Sequence, residues 1–120
     1  MLKLSLGAVE SRFADIVWEN APLTTAQLID LCAKELNWKR TTTYTVLKKL
    51  CEGGLFKMEN RMVTVLIPKE EYAALQSEHF VEKTFGGSLP AFIAAFASRK
   101  AISTGELDQI KEMIRNFQEK

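Results

Sequence analysis

Along most of this chain apolar residues recur at the three- and four-residue spacing of a helix, and the interruptions mark where each helix ends. Val9, Phe13, Ile16 and Val17, with Trp18 beside them, predict a first helix over 7–20. Gly7 with Glu10 is a weak capping pattern, Leu6 stands where a hydrophobic staple would, and Asn20-Ala21-Pro22 ends the run. Thr24 with Gln27 is a T-x-x-Q box, opening a second helix through Leu28, Leu31, Cys32 and Leu36. After Asn37-Trp38-Lys39-Arg40, a third helix runs from Thr41 to Glu52 with Val46, Leu47, Leu50 and Cys51 on one face, until Gly53-Gly54 stops it. From Leu55 to Ile67 the chain turns to β-branched and aromatic residues around a polar break, Glu59-Asn60-Arg61. That pattern predicts two short strands joined by a turn.

Three short helices and then a hairpin, all before residue 69, is the order of a winged helix-turn-helix. Beyond it, Pro68, Glu70 and Glu71 suit the first turn of a fourth helix that reaches Phe85, with Tyr72, Leu75, His79, Phe80 and Lys83 at helical spacing. Gly86-Gly87 breaks it, and Ser88 can cap a fifth over 89–98. There Leu89, Phe92, Ile93, Ala94, Ala95, Phe96 and Ala97 leave almost no polar side. Ser103 with Glu106 opens a sixth, striped by Leu107, Ile110, Ile114 and Phe117. The fold expected is mainly α with a small β-hairpin wing: residues 1–68 a winged helix-turn-helix, residues 69–120 a three-helix region. Three helices of which one is apolar nearly all round cannot enclose their own apolar surface. A second copy would cover it in a two-fold contact, with Leu89, Phe92, Ile93, Phe96, Leu107, Ile110 and Ile114 as the dimerisation face. The alternative is that these helices pack back on the first part.

Composition narrows the function by exclusion. At 47% hydrophobic and 26% charged residues the chain has the balance of an ordinary globular domain. No apolar run approaches the ~18 residues of a membrane span, and Met1 to Leu6 is too short for a signal peptide, so a cytoplasmic location without membrane insertion is expected. His79 is the only histidine, and Cys32 and Cys51 are isolated in helical stretches. A nucleophile–histidine set has nothing to be built from, and neither a metal site nor a disulfide framework has the spacing it needs. No glycine-rich phosphate loop is present either, because both glycine pairs follow helices. Neither an enzyme nor a cofactor is expected, and the cysteines read as small buried hydrophobes.

The net charge of +1 points to no partner, but its distribution does: residues 34–61 carry seven basic groups against three acidic ones. Within that segment Thr41-Thr42-Thr43-Tyr44-Thr45 opens the third helix, a poor choice for helix propensity. Short hydroxyl side chains make sense there if the helix start meets phosphates and base edges, since they donate to phosphate oxygens and the threonine methyl packs on thymine. Lys39 and Arg40 precede the helix, and positions 41, 44, 45 and 48 share its outward face. Lys48, Lys49 and Arg61 have no obvious acidic partner and fall to phosphates; Thr41, Tyr44 and Thr45 fall to the groove.

As a set, Ile16-Val17-Trp18, Trp38 followed by Thr42, Thr45, Leu47, Lys49 and Leu50, then Gly54, Arg61 and Phe85-Gly86-Gly87-Ser88, resembles the penicillinase repressor family over nearly the whole chain. The resemblance implies a homodimeric winged-helix repressor on a palindromic double-stranded DNA operator, with contacts at Lys39, Thr41, Thr42, Tyr44, Thr45 and Lys49 and, on the wing, Arg61. Lys39-Arg40 replaces the family's Ser-Pro after the tryptophan, and Thr43 replaces an aliphatic residue and should face inward. Relatives that sense β-lactams are cut at an Asn-Phe bond, implying a membrane sensor peptidase as partner; here the matching pair is Ala95-Phe96, a departure that leaves that route and that partner open. Relatives that sense copper carry Cys-x-Cys pairs near the C-terminus, and Asn116-Phe117-Gln118-Glu119-Lys120 holds none.

Two other readings compete. A winged helix used for protein–protein assembly would show exposed apolar anchors on its third helix instead of threonines and lysines. A repressor gated by a small effector would share all the features above.

Overall fold

A computed structural model describes residues 1–117; Gln118-Glu119-Lys120, the last three positions of the stretch without a copper-type motif, lie outside the described residues. The elements follow in the order α1 (Ala8–Asn20), β1 (Leu23–Thr24), α2 (Thr25–Leu36), α3 (Arg40–Glu52), β2 (Phe56–Glu59), β3 (Met62–Val65), α4 (Lys69–Phe85), α5 (Leu89–Arg99) and α6 (Thr104–Asn116). This is the expected winged helix, with one addition. β1, which no periodicity announced, pairs with β3 through Leu23 opposite Val63 and Thr24 opposite Met62, giving an antiparallel sheet in the order β1-β3-β2.

Local chemistry accounts for most boundaries. In the capping box of α2, the Gln27 amide donates to Thr24 Oγ1 at 3.1 Å and the Thr24 amide donates to Gln27 Oε1 at 2.8 Å. Gly7 has no side chain to complete its box, so α1 keeps only the return bond, Gly7 N–H to Glu10 Oε1 at 3.0 Å. Ser88 and Ser103 cap α5 and α6 as the sequence predicts. α3 begins one residue earlier than expected, at Arg40, because Lys39 takes the extended N-cap conformation. Its end is crowded: a Cβ on Gly53 would lie 2.8 Å from the Cβ of Lys3, and Gly54 has φ +89°, a conformation that glycine adopts without the Cβ penalty.

The chain forms two compact units, Met1–His79 and Phe80–Lys120, a division inside α4 and not at residue 68. The start of α4 belongs with the winged helix because Tyr72 is buried there, its hydroxyl donating to the Lys3 carbonyl, while Gln76 Nε2 donates to the Leu4 carbonyl at 3.2 Å. The core of the first unit joins Phe13, Ile16 and Val17 of α1 to Leu28 and Cys32 of α2, Leu47 and Leu50 of α3, and Phe56 and Val63 of the sheet. Both tryptophans edge this core. Trp18 donates its indole N–H to the Ile67 carbonyl at 3.0 Å and meets Phe56 edge-on; Trp38 stacks on Phe13 with centroids 5.6 Å apart. Val9, expected on the inner face of α1, is exposed instead, since the buried stripe starts at Phe13. In the second unit, Phe80, Phe85 and Phe92 form a triangle of edge-on rings 5.7–6.1 Å apart, to which Phe96 adds a fourth at 6.3 Å from Phe92.

Candidate nucleic-acid interface

α3 has three sides, and each has its own chemistry. Inward lie Thr43, Leu47 and Leu50, all buried; Thr43 is 1% exposed and its hydroxyl donates to the Lys39 carbonyl at 3.3 Å. Thr43 therefore faces inward, as expected of a residue in an aliphatic position. Outward lie Thr41, Thr42, Thr45 and Lys48, all exposed. Thr45 Oγ1 donates back to the Thr41 carbonyl at 2.8 Å, which gives the hydroxyl a partner within the helix and helps explain how the run of threonines is tolerated. The third side is a row formed by Arg40 and Tyr44, with the guanidinium carbon 5.7 Å from the ring centroid.

The row of Arg40 and Tyr44 turns toward the wing. Asn60 and Arg61 make the hairpin turn with φ +53° and +62°, the left-handed pair that a two-residue turn requires. Asparagine suits this region, whereas arginine there costs on the order of 1–2 kcal/mol. The position is held by α2, whose Thr25 N–H donates to the Arg61 carbonyl at 3.0 Å. A cavity of about 360 Å³ opens between these pieces, lined by Thr25, Ala26 and Asp30 of α2, Arg40 and Tyr44 of α3, and Arg61. The Thr25 hydroxyl beside the Tyr44 phenol, and then the Arg40 and Arg61 guanidiniums, favour the ionised phenol and hold it below the ordinary tyrosine range.

The nine residues singled out in the sequence thus fall into three groups. Thr41, Thr42, Thr45 and Lys48 share the exposed side of α3, with exposed Lys39 at its cap; Arg40, Tyr44 and Arg61 meet at the cavity. Lys49 departs from expectation. It has an acidic partner, Glu10 in the first turn of α1, with Nζ 2.7 Å from Oε2. The Lys49 ammonium first, and then the Gly7 amide, hold the Glu10 carboxyl below the usual carboxylate range. Glu10 and Lys49 are far apart in sequence, so only the packing of α1 beside α3 reveals the pair. Sequence reasoning missed Thr25 and Ala26. The neighbouring T-x-x-Q box marked the helix start, but nothing in spacing shows that the wing turn folds back on it.

The seven residues of the expected dimerisation face lie on α5 and α6, and five of them are exposed in the single chain: Leu89, Ile93, Phe96, Leu107 and Ile114, the last at 64%. Phe92 and Ile110 are half-buried. Among the described residues no helix is long and apolar enough to cross a membrane, and no group of three or more His, Cys, Asp or Glu side chains is placed to hold a metal ion.

Comparison with known proteins identifies the family. The penicillinase repressor of Bacillus licheniformis is 21% identical over 103 residues, covering 82% of this chain and 80% of that protein. The family model described as penicillinase repressor matches residues 6–116, from just before α1 to the end of α6. The chain belongs to the penicillinase repressor family.

Proposed function

We propose that this protein is a homodimeric, cytoplasmic transcriptional repressor that binds an inverted-repeat operator through α3 and the wing. The carrying observation is the solvent side of α3, where Thr41, Thr42, Thr45 and Lys48 stand exposed above a buried row of Thr43, Leu47 and Leu50. An assembly module would place apolar anchors there, and this side has none. Membership of a repressor family supports the same reading and assigns no catalysis. Two copies related by a two-fold axis would present two such helices to half-sites about one helical turn apart.

The roles divide by reach. Thr41 and Thr45, near the start of the helix, read base edges; Lys48, a turn further on, meets phosphate. A duplex enriched by the protein from a random library, and a scrambled duplex, titrated at two salt concentrations, separate them. Thr41→Ala and Thr45→Ala should change which sequence is preferred, by roughly 1–3 kcal/mol of discrimination. Lys48→Ala should weaken both duplexes alike and lower the salt slope by about one unit for each phosphate that is no longer neutralised. Equal affinity for every duplex, unmoved by the threonine changes, would leave only nonspecific charge attraction and remove the repressor reading.

A further inference from the structure

The cavity between α2, α3 and the wing turn has a composition that base reading does not explain. Two guanidiniums, Arg40 and Arg61, a phenol, Tyr44, and the positive end of α2 at Thr25 and Ala26 converge on one space from three elements. Asp30 is the single carboxylate among the lining residues. Neither arginine forms an ion pair among the described residues, so the balance in the cavity is positive. Groups of this kind, hydrogen-bond donors around a spare positive charge, recognise an oxyanion.

Helix geometry says which oxyanion. Arg40 and Tyr44 precede Thr41 and Thr45 by one residue each, so their row is rotated about 100° from the outward row. A duplex seated with its groove on Thr41, Thr45 and Lys48 brings its sugar–phosphate edge to the flanking row. We propose that this cavity seats one backbone phosphate of the operator, held by Arg40, Tyr44 and Arg61, and that Thr25 is a positioning residue fixing the Tyr44 hydroxyl. The inference rests on the DNA-binding reading above and deepens it. Tyr44, grouped by sequence with the base-reading residues, becomes a backbone contact, and the seat joins the wing to α3 on one phosphate. Asp30 moderates it, so Asp30→Asn should tighten binding to all duplexes by a factor of a few.

The test replaces each phosphate of the enriched duplex in turn by a neutral methylphosphonate and measures affinity by fluorescence anisotropy. With the unmodified protein, one position per half-site should lose about tenfold or more, as expected for a charge-assisted contact. That penalty should shrink to about twofold in Tyr44→Phe and in Arg61→Ala, with penalties elsewhere and base preference unchanged. Thr25→Val should behave like Tyr44→Phe, and Thr25→Ser, which keeps the hydroxyl, like the unmodified protein. Circular dichroism melting of each variant distinguishes a missing phosphate contact from a failure to fold. An enriched duplex on which no methylphosphonate penalty depends on Tyr44 or Arg61, or a base preference altered by Tyr44→Phe, overturns this inference alone. Binding of inorganic phosphate at constant ionic strength that is abolished in Arg61→Ala, in a protein whose methylphosphonate penalties do not depend on Arg61, would assign the seat to a free anion and overturn it too. Failure to enrich any duplex removes the DNA-binding reading and this one with it.

Discussion

Glu10 and Lys49 show how one contact redirects a residue assignment. Lys49 lies in the basic segment and reads there as a free cation, yet its ammonium sits 2.7 Å from a carboxylate of α1. Because the folded Glu10 has a pKa below its ordinary value, the unfolded chain binds the proton more readily through that interval. The contribution is complete above the ordinary carboxylate pKa and is lost as pH falls through the lowered one. Glu10→Gln should therefore cost on the order of 0.5–1 kcal/mol near pH 7, with urea midpoints converging on the unmodified protein as pH falls below the ordinary carboxylate range. Parallel curves at every pH would show that the pair contributes nothing. The cysteines are a second case. Burial raises both thiols, Cys32 is fully buried and Cys51 half-buried, so both should label slowly, Cys51 ahead of Cys32. Fast labelling that abolishes DNA binding would point to a redox switch instead. The core position of Cys32 was legible from helical spacing; the partial exposure of Cys51 was not, since it depends on how the chain after Gly53 crosses the helix end.

Among the elements, those with capping residues were legible. The boxes at Thr24 and Ser103 and the cap at Ser88 are local devices, written within four residues of sequence, and the helices start where they say. Thr24→Ala should cost about 1 kcal/mol by removing an acceptor for the Gln27 amide, read as a lower thermal midpoint. Gly54→Ala, at φ +89° with Leu2 Cδ1 3.2 Å from the new Cβ, should cost at least as much. A midpoint unchanged by either substitution would show that the local geometry is not limiting. β1 was not legible: two residues have no period to detect, and their strand character exists only because β3 offers an edge. The buried side of α3 was legible from Leu47 and Leu50, whereas the cavity that gathers Arg40 and Tyr44 with Arg61 needed the wing in place.

For the molecule as a whole, the apolar surface of α5 and α6 is where the proposed dimer would form. Five apolar side chains of the expected face are exposed in the single chain, and exposed apolar side chains gathered in one patch mark interaction sites. Under the dimer reading, Ile93→Asp places an unpaired charge in the contact and should cost several kcal/mol of association. Light scattering at micromolar concentration should give twice the chain mass for the unmodified protein and the single-chain mass for the variant. A monomeric unmodified protein would refute the dimer, and an unaffected dimer would place the contact elsewhere. The division of the chain inside α4 also belongs to this scale. Tyr72 and Gln76 bond to the carbonyls of Lys3 and Leu4, so the first turns of α4 join the winged helix.

By itself the sequence determined helix spans, caps, the hairpin and the split between an inward and a solvent side of α3. These follow from periodicity and capping, interactions between residues a few positions apart. Tertiary structure alone decided the rest: β1 on the sheet edge, the burial of Tyr72, the capture of Lys49 by Glu10, and the meeting of Thr25, Tyr44 and Arg61 around one cavity. Each joins residues from different elements, and the distance between such residues is set by how the elements pack, which no local pattern records.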